Sequence, residues 1–267
     1  MIRHISTSEL PSIRQLLGRA NDAPYDLEKV AEEKCFGAGI EGQPQVRVFG
    51  DLEGISVTCG KYLRILAVDR ERRGRGIGTA LLRDAESRGA IVVAAEAGNY
   101  FTPGVSETVA RFLLKRGYVE TARTQNLVTT TMAAEGGGAT CASVGPAPSP
   151  ARKRVLDFIE RHFGTIWRFE AMRAASLFYI EEHGEIAGFS THEANNRGLG
   201  SFGPTGVAKT HRGGGLGHVL LRASLAALRR LGYHRAVIPW TEAIEYYQKG
   251  CGARIDHRFV ILRRKNA

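Results

Sequence analysis

Two periods alternate along the chain. Apolar residues run together or alternate in "VRVFG", "GISVTC" and "YLRILAV", between residues 46 and 68, and predict strands after a short opening one at "IRHI". Apolar positions three and four apart predict a helix from about Ser8 to Leu17, capped by a serine. The same spacing returns from Gly76 to about Arg88. A buried-looking strand "AIVVAA", a helix "ETVARFLLKRG" and closing strands around "YVET" and "NLVTTTM" follow.

The order then repeats. Helix "KRVLDFIERHF" precedes strands "SLFYIEE", "EIAGFSTH" and "LGSFGPTGV", then helix "LGHVLLRASLAALRRLG", strand "RAVIPW", helix "EAIEYYQKG" and strand "HRFVILRR". Hairpin-linked strands followed by a strand–loop–helix–strand unit predict an α+β fold in each half. Residues 134–151, rich in Gly, Pro, Ser and Ala, read as a linker stiffened by Pro146, Pro148 and Pro150. Domains are therefore expected at 1–133 and 152–267, each of ordinary size. Side chains agree as well as elements. Arg73, Gly74, Gly76, Gly78, Leu81, Leu82 and Arg83 match Arg212, Gly213, Gly215, Gly217, Leu220, Leu221 and Arg222 at a constant spacing of 139 residues. A repeat this long reads as a duplicated domain.

Composition narrows the class. A hydrophobic content of 43% and a charged content of 24% over 267 residues suit a folded, water-soluble chain. No apolar run approaches the roughly 18–20 residues of a membrane span, so no membrane partner is expected. The opening "MIRHISTSEL" lacks the apolar core of a signal peptide, which makes the cytoplasm the expected location. Cys35, Cys59, Cys141 and Cys251 form no C-x-x-C pair, so neither a zinc ribbon nor a disulfide framework is indicated. Charge is uneven: the first 133 residues carry 18 Lys/Arg against 16 Asp/Glu, and residues 151–267 carry 19 against 10. That basic half suits a polyanion such as tRNA, an acidic carrier protein or a nucleotide-bearing cofactor, or else a solvated surface.

The chemistry concentrates in "VDRERRGRGIGTALL" and "VAKTHRGGGLGHVLL". A strand that turns through glycines into a helix leaves backbone N–H groups outward, at the positive end of the helix dipole, a cradle for phosphate oxygens. A nucleotide-triphosphate loop would end in Gly-Lys-Ser/Thr; these end in Gly78-Thr79-Ala80 and Gly217-His218-Val219. A dinucleotide fingerprint would follow the first strand, not the fourth.

Arg73-x-x-Gly76-x-Gly78 and Arg212-x-x-Gly215-x-Gly217 resemble the pyrophosphate-binding motif of the GNAT acyltransferases, and the order of elements agrees. The chain as a whole resembles a tandem GNAT protein. The resemblance implies a twisted mixed sheet in each half, splayed between its fourth and fifth strands and flanked by helices. It implies acyl-CoA, usually acetyl-CoA, in that split. The pantetheine would follow the strands ending at Val68 and Val207. The pyrophosphate would rest on Arg73, Gly74, Arg75, Gly76, Ile77 and Gly78, or on Arg212, Gly213, Gly214, Gly215, Leu216 and Gly217.

Members of the family commonly protonate the leaving thiolate with a tyrosine on the helix after the fifth strand. Leu113 stands there in the first half, while the second offers Tyr246 and Tyr247. Tyr247 is the candidate general acid, with core packing as the alternative, and this points to the second half as the catalytic one. Glu193 is the candidate base. Glu242 is an alternative that also reads as a helix N-terminal charge, and His192 and His211 read as surface residues. Glu96 follows the fifth strand of the first half, where Asn99, Tyr100 and Phe101 are candidates for an acceptor pocket. The expected activity is transfer of an acyl group from acyl-CoA to a primary amine of a small molecule. Similarity to bacterial glucosamine and glucosaminide acetyltransferases, and more distantly to mycothiol synthase, suggests an amino sugar or an aminoglycoside-like acceptor. Two alternatives stand: a donor on an acyl-carrier protein or aminoacyl-tRNA docked on the basic half, and a non-catalytic CoA-binding or interaction module.

Overall fold

The computed structural model describes residues 1–21, 28–96, 103–134 and 141–265. The chain gathers into two compact units, Met1–Thr124 with Phe259–Ala267, and Gln125–Arg258. Compactness thus divides the chain elsewhere than the composition of the expected linker does. The reason is that two long strands, β6 (Tyr118–Thr130) and β12 (Arg254–Arg264), each run through a border. β6 is one strand where two were expected.

In unit 1, β1 (Ile2–His4), β2 (Gln45–Phe49), β3 (Gly54–Cys59) and β4 (Tyr62–Val68) form an antiparallel meander. β5 (Val92–Val93) joins β4 in parallel, and the end of β12 lies antiparallel to β5, Leu262 facing Val93. β5 is shorter than "AIVVAA" suggests because Ala94 and Ala95 turn left-handed, at φ 61° and 57°. Helix α1 (Leu10–Ala20) sets Ile13, Leu16 and Leu17 on Val46, Val48, Ile55 and Val57. Its expected serine cap is absent: Ser6 and Ser8 bond each other at 2.8 Å, and no side chain caps the helix. On the other core, Leu82 and Ala85 of α3 (Ile77–Ser87) and Ala110 and Leu113 of α4 (Glu107–Leu114) meet Leu63, Val93, Val260 and Leu262. Helix α2 (Ala31–Phe36), too short to show a period in the sequence, adds Ala31 and Cys35 to the first core.

Unit 2 opens on the second part of β6. A four-stranded antiparallel sheet follows: β7 (Ala142–Val144), β8 (Ser176–Glu182), β9 (Glu185–His192) and β10 (Phe202–Val207), in the order β10-β9-β8-β7. β7 corrects the reading of 134–151 as linker throughout. Val144 faces Leu177, and Pro150 already opens helix α5 (Pro150–Phe163), with the Ser149 hydroxyl accepting from the Arg152 N–H at 3.2 Å. Small and β-branched residues suffice for a short edge strand, whatever linker character their composition suggests. Helices α6 (Thr165–Arg173), α7 (Leu216–Arg230) and α8 (Ile244–Cys251) and strand β11 (Arg235–Ile238) complete the unit. β11 pairs antiparallel with β6, Ile238 facing Leu127, and touches the β10 side through one parallel bridge, Ser201 to Val237.

Candidate functional site

Both glycine loops take the same shape. β4 ends at Val68, a 3-10 turn covers Arg70–Arg72, and α3 starts at Ile77 after Gly74 and Gly76, at φ 80° and 82°. β10 ends at Val207, a turn covers Lys209–His211, and α7 starts at Leu216 after Gly213 and Gly215, at φ 95° and 81°. Only glycine adopts these angles without strain. A Cβ on Gly74, Gly76, Gly213, Gly214 or Gly215 would meet nothing within 4 Å, so open space faces each loop. The first N–H groups of each helix have no intrahelical acceptor, as at any helix start. Arg73 and Arg212 are loop fasteners: their Nε donates to the strand-end carbonyls of Val68 and Val207, at 3.2 and 3.1 Å. Arg73 Nη2 also donates to the Ala20 carbonyl at 2.6 Å. Arg75 and Leu216 sit in the loops as expected, Arg75 exposed.

The units differ in what lies beside the loop. In unit 1, β4 and β5 pair only at Tyr62–Val92 and Leu63–Val93 and then part. Beyond Leu63, the edge of β4 that a neighbouring strand would occupy faces a cavity of about 570 Å³. The cavity runs along Ile65 to Val68 to the loop at Gly74, Gly76 and Gly78, with Val109 and Phe112 of α4 opposite and Phe259 of β12 in its wall. Its lining is largely apolar, with backbone polar groups on one edge. That arrangement suits a long, flexible ligand bearing amides along its length and phosphates at its end.

In unit 2 aromatic rings lie against the corresponding strand and loop. A Cβ on Gly206 of β10 would come within 2.5 Å of the Phe163 ring, which lies on that strand, stacked on Trp167 at 5.1 Å between centroids. The end of α1 presents Ala20 to the unit 1 cavity; the end of α5 presents Phe163. Beside the loop, a Cβ on Gly217 would come within 2.7 Å of the Tyr246 hydroxyl, whereas one on Gly78 would sit 3.5 Å from Phe112.

The two residues expected to do chemistry are placed otherwise. Tyr247 is buried in the core of unit 2 with Leu221, Leu225 and Cys251, edge-on to Phe202 at 6.0 Å, and burial pushes its phenol well above the usual range. Packing, the alternative reading, describes its environment. The Tyr246 phenol, half-buried, is pushed up to about 12, also chiefly by burial. Glu193 accepts from the Gly198 N–H at 2.6 Å, the Ser201 N–H at 2.8 Å and the Tyr233 hydroxyl at 2.9 Å. Its carboxylate is thus occupied in holding the turn after β9. His192 is buried against Phe178 rather than at the surface, and burial pulls its pKa down, helped by Arg230. Asn99, Tyr100 and Phe101 lie outside the described residues.

Sequence reading missed two features of unit 1. Arg64, in β4, forks onto the fully buried Glu96 through Nε and Nη2, and its Nη1 donates to the Lys34 and Gly37 carbonyls at 3.2 and 2.7 Å. The carboxylate raises the guanidinium's pKa against the opposing pull of burial. Arg116 stacks on Phe112 at 3.6 Å and bonds Thr79 on the first turn of α3. Arg116 stands just past the end of α4, and Arg64 is a charged residue inside the apolar run of β4, so no apolar pattern marks either. Among the described residues no cluster of three His, Cys, Asp or Glu could hold a metal, and no helix is long and apolar enough to cross a membrane.

A family model described as the Acetyltransferase (GNAT) family matches residues 149–253. That stretch is a GNAT acetyltransferase domain. It spans the glycine loop of unit 2, and the fold around it agrees with solved GNAT structures over nearly the whole chain. A GCN5-related N-acetyltransferase from Sphaerobacter thermophilus superposes with a TM-score of 0.69 at 18% identity, covering 99% of this chain and 95% of that one. A tandem GNAT protein from the clavulanic acid biosynthesis pathway gives 0.70 at 16%, covering 98% and 97%. A glucosamine N-acetyltransferase region of a fungal multi-domain β-N-acetylglucosaminidase gives 0.73 at 15%; this chain is 98% covered and spans 38% of that protein. Among curated proteins no relative matches. The α+β fold with a splayed mixed sheet is therefore that of GNAT proteins, and acyl transfer is the family's chemistry.

Proposed function

We propose that the chain is an acyl-CoA-dependent N-acyltransferase whose donor, acetyl-CoA or a near homologue, binds in unit 1. One observation carries this reading: the open course from the split of β4 and β5 to the Gly74–Gly78 loop, whereas Phe163 and Tyr246 pack closely on Gly206 and Gly217 in unit 2. In this reading the diphosphate rests on the N–H groups at the start of α3, and the pantetheine amides pair with the free edge of β4 as a missing strand would. Unit 2 keeps the loop but serves as a structural partner, which reverses the catalytic assignment expected from its tyrosines.

The chemistry follows from the edge. A thioester carbonyl beside β4 meets backbone N–H donors that are fixed before the reaction, so the tetrahedral oxyanion is stabilised without reorganisation. Holding amine and thioester in one cleft supplies several kcal/mol of the barrier reduction. The acceptor is a primary amine of a small molecule; an amino sugar or aminoglycoside-like compound is the first candidate to try, since one structural neighbour is a glucosamine N-acetyltransferase region. The test is calorimetric titration with CoA, acetyl-CoA and longer acyl-CoAs, followed by thiol release with DTNB on pooled amines. Binding of one ligand per chain is expected. No binding by any CoA species refutes the reading, and two ligands per chain refute the assignment to unit 1 alone.

A further inference from the structure

Four arginines line the unit 1 cavity, and each is engaged within the protein, Arg116 without a carboxylate among the described residues. Arg64 holds Glu96, Arg72 faces Glu53 at 3.6 Å, and Arg73 donates to the carbonyls of Val68 and Ala20. Arg116 differs. Its Nε and Nη2 donate to the Thr79 hydroxyl at 3.2 and 2.9 Å, its Nη1 donates to the Phe112 carbonyl at 2.8 Å, and its plane lies on the Phe112 ring. A guanidinium has five N–H donors. Three are used here; among the described residues the other two have no partner, and no carboxylate pairs with the charge. The side chain is thus a half-buried cation, fixed in orientation before any ligand arrives. Its partner Thr79 lies in the first turn of α3, which the glycine loop opens.

Unit 2 shows what the site is without it. Phe112 and Tyr246 occupy corresponding places over Gly78 and Gly217. Four residues after Tyr246 stands Gly250, and the residue matching Thr79 is His218. The His218 ring fills the space, 2.8 Å from where a Cβ on Gly250 would lie and 4.7 Å from the Tyr246 ring. The cationic fork therefore stands beside the unit 1 cavity and has no counterpart beside the unit 2 loop, where the matching residue is Gly250.

Resting on the proposed function, CoA brings a diphosphate and a separate ribose phosphate to this end of the cavity. The diphosphate is matched by the loop's N–H groups. The ribose 3′-phosphate, a compact dianion with three equivalent oxygens, is the remaining group, and a forked guanidinium is its natural partner. We propose that Arg116 reads that 3′-phosphate. The unit 1 cavity then selects free CoA thioesters over pantetheine carried without it, as on a carrier protein.

Calorimetric titration of the full chain and of Arg116→Gln with acetyl-CoA and acetyl-3′-dephospho-CoA tests this. The unaltered protein is expected to bind the dephospho ligand at least tenfold more weakly than acetyl-CoA. Arg116→Gln is expected to lose at least tenfold for acetyl-CoA and less than twofold for the dephospho ligand. Equal losses on both ligands, or an unaltered protein indifferent to the phosphate, overturn the proposal while leaving the unit 1 reading intact. Binding of neither ligand by the unaltered protein overturns both. Arg116→Lys keeps the charge without the fork and covers the case of an unfolded glutamine variant: it must still favour acetyl-CoA, by a smaller factor.

Discussion

Gly78 and Gly217 hold the same position in the two copies of one motif, yet Gly→Ala should act oppositely at them. Both lie in the first turn of a helix with helical backbone angles, so alanine gains about 0.5–1 kcal/mol from the chain entropy glycine loses on folding. At Gly78 the new methyl meets Phe112 and Val68 at 3.5 Å, an ordinary contact, and the gain stands. At Gly217 it would lie 2.7 Å from the Tyr246 hydroxyl. That ring is boxed by His218 at 4.7 Å and Tyr247 at 4.9 Å, so displacing it costs on the order of 1–3 kcal/mol. The net is a loss of up to about 2.5 kcal/mol. At about 2–4 °C per kcal/mol, Gly78→Ala should raise the melting temperature by about 1–4 °C and Gly217→Ala should lower it by up to about 10 °C. Affinity should reverse the order. The Gly78 methyl enters the cavity wall beside the diphosphate cradle and should weaken acetyl-CoA about tenfold, roughly 1.4 kcal/mol, whereas Gly217→Ala should leave it unchanged. Circular-dichroism melts and calorimetric titration on the pair suffice. If both variants are stabilised alike, Tyr246 is not seated on the loop; if Gly217→Ala alone loses the ligand, the donor site is in unit 2 and the reasoning fails.

Other substitutions test the remaining assignments. Tyr247→Phe keeps the ring on Phe202 and should leave turnover within about twofold, measured by DTNB; a general acid would show a loss of about 10²–10⁴. Glu96→Gln leaves the buried Arg64 charge without its counter-ion and should cost about 3–5 kcal/mol in urea unfolding, a cost an exposed pair would not show. His192, neutral in the fold because burial lowers its pKa, lets the unfolded chain take up a proton first, so stability should fall as pH drops below about 6.5. His192→Asn should shrink the difference between urea midpoints at pH 7.5 and 5.5; an unchanged difference would assign it to other groups.

Much of this was legible in the sequence, and the failures have a common cause. Period and spacing found β2, β3 and β4, helices α3 and α7, and both glycine loops, because those signals are local. The fate of each loop is not local. Whether the course along β10 is open depends on Phe163, more than forty residues earlier than Gly206 in the chain, and nothing in "HFGTIW" announces where its ring will lie. Residue type and distance from Gly252 single out Tyr247 but cannot tell a face turned to a cleft from one turned to a core. Glu193 followed a strand and looked free, but it sits at φ 51° in a tight turn whose N–H groups claim its carboxylate. Arg116, just past the end of α4, belongs to no apolar pattern and matters through what it does not pair with.

The course of β12 bears on how this protein is made. Residues 254–258 are counted with one unit and 259–264 with the other, where Leu262 completes pairing to Val93 and Phe259 walls the cavity. A nascent chain that has emerged only as far as residue 133 therefore lacks a piece of the sheet its first hundred residues require. That half must wait, partly assembled, until more than a hundred further residues have been synthesised, and it has to hide an unpaired strand edge meanwhile. Cutting the gene in the glycine-rich stretch would separate the early half from its own last strand.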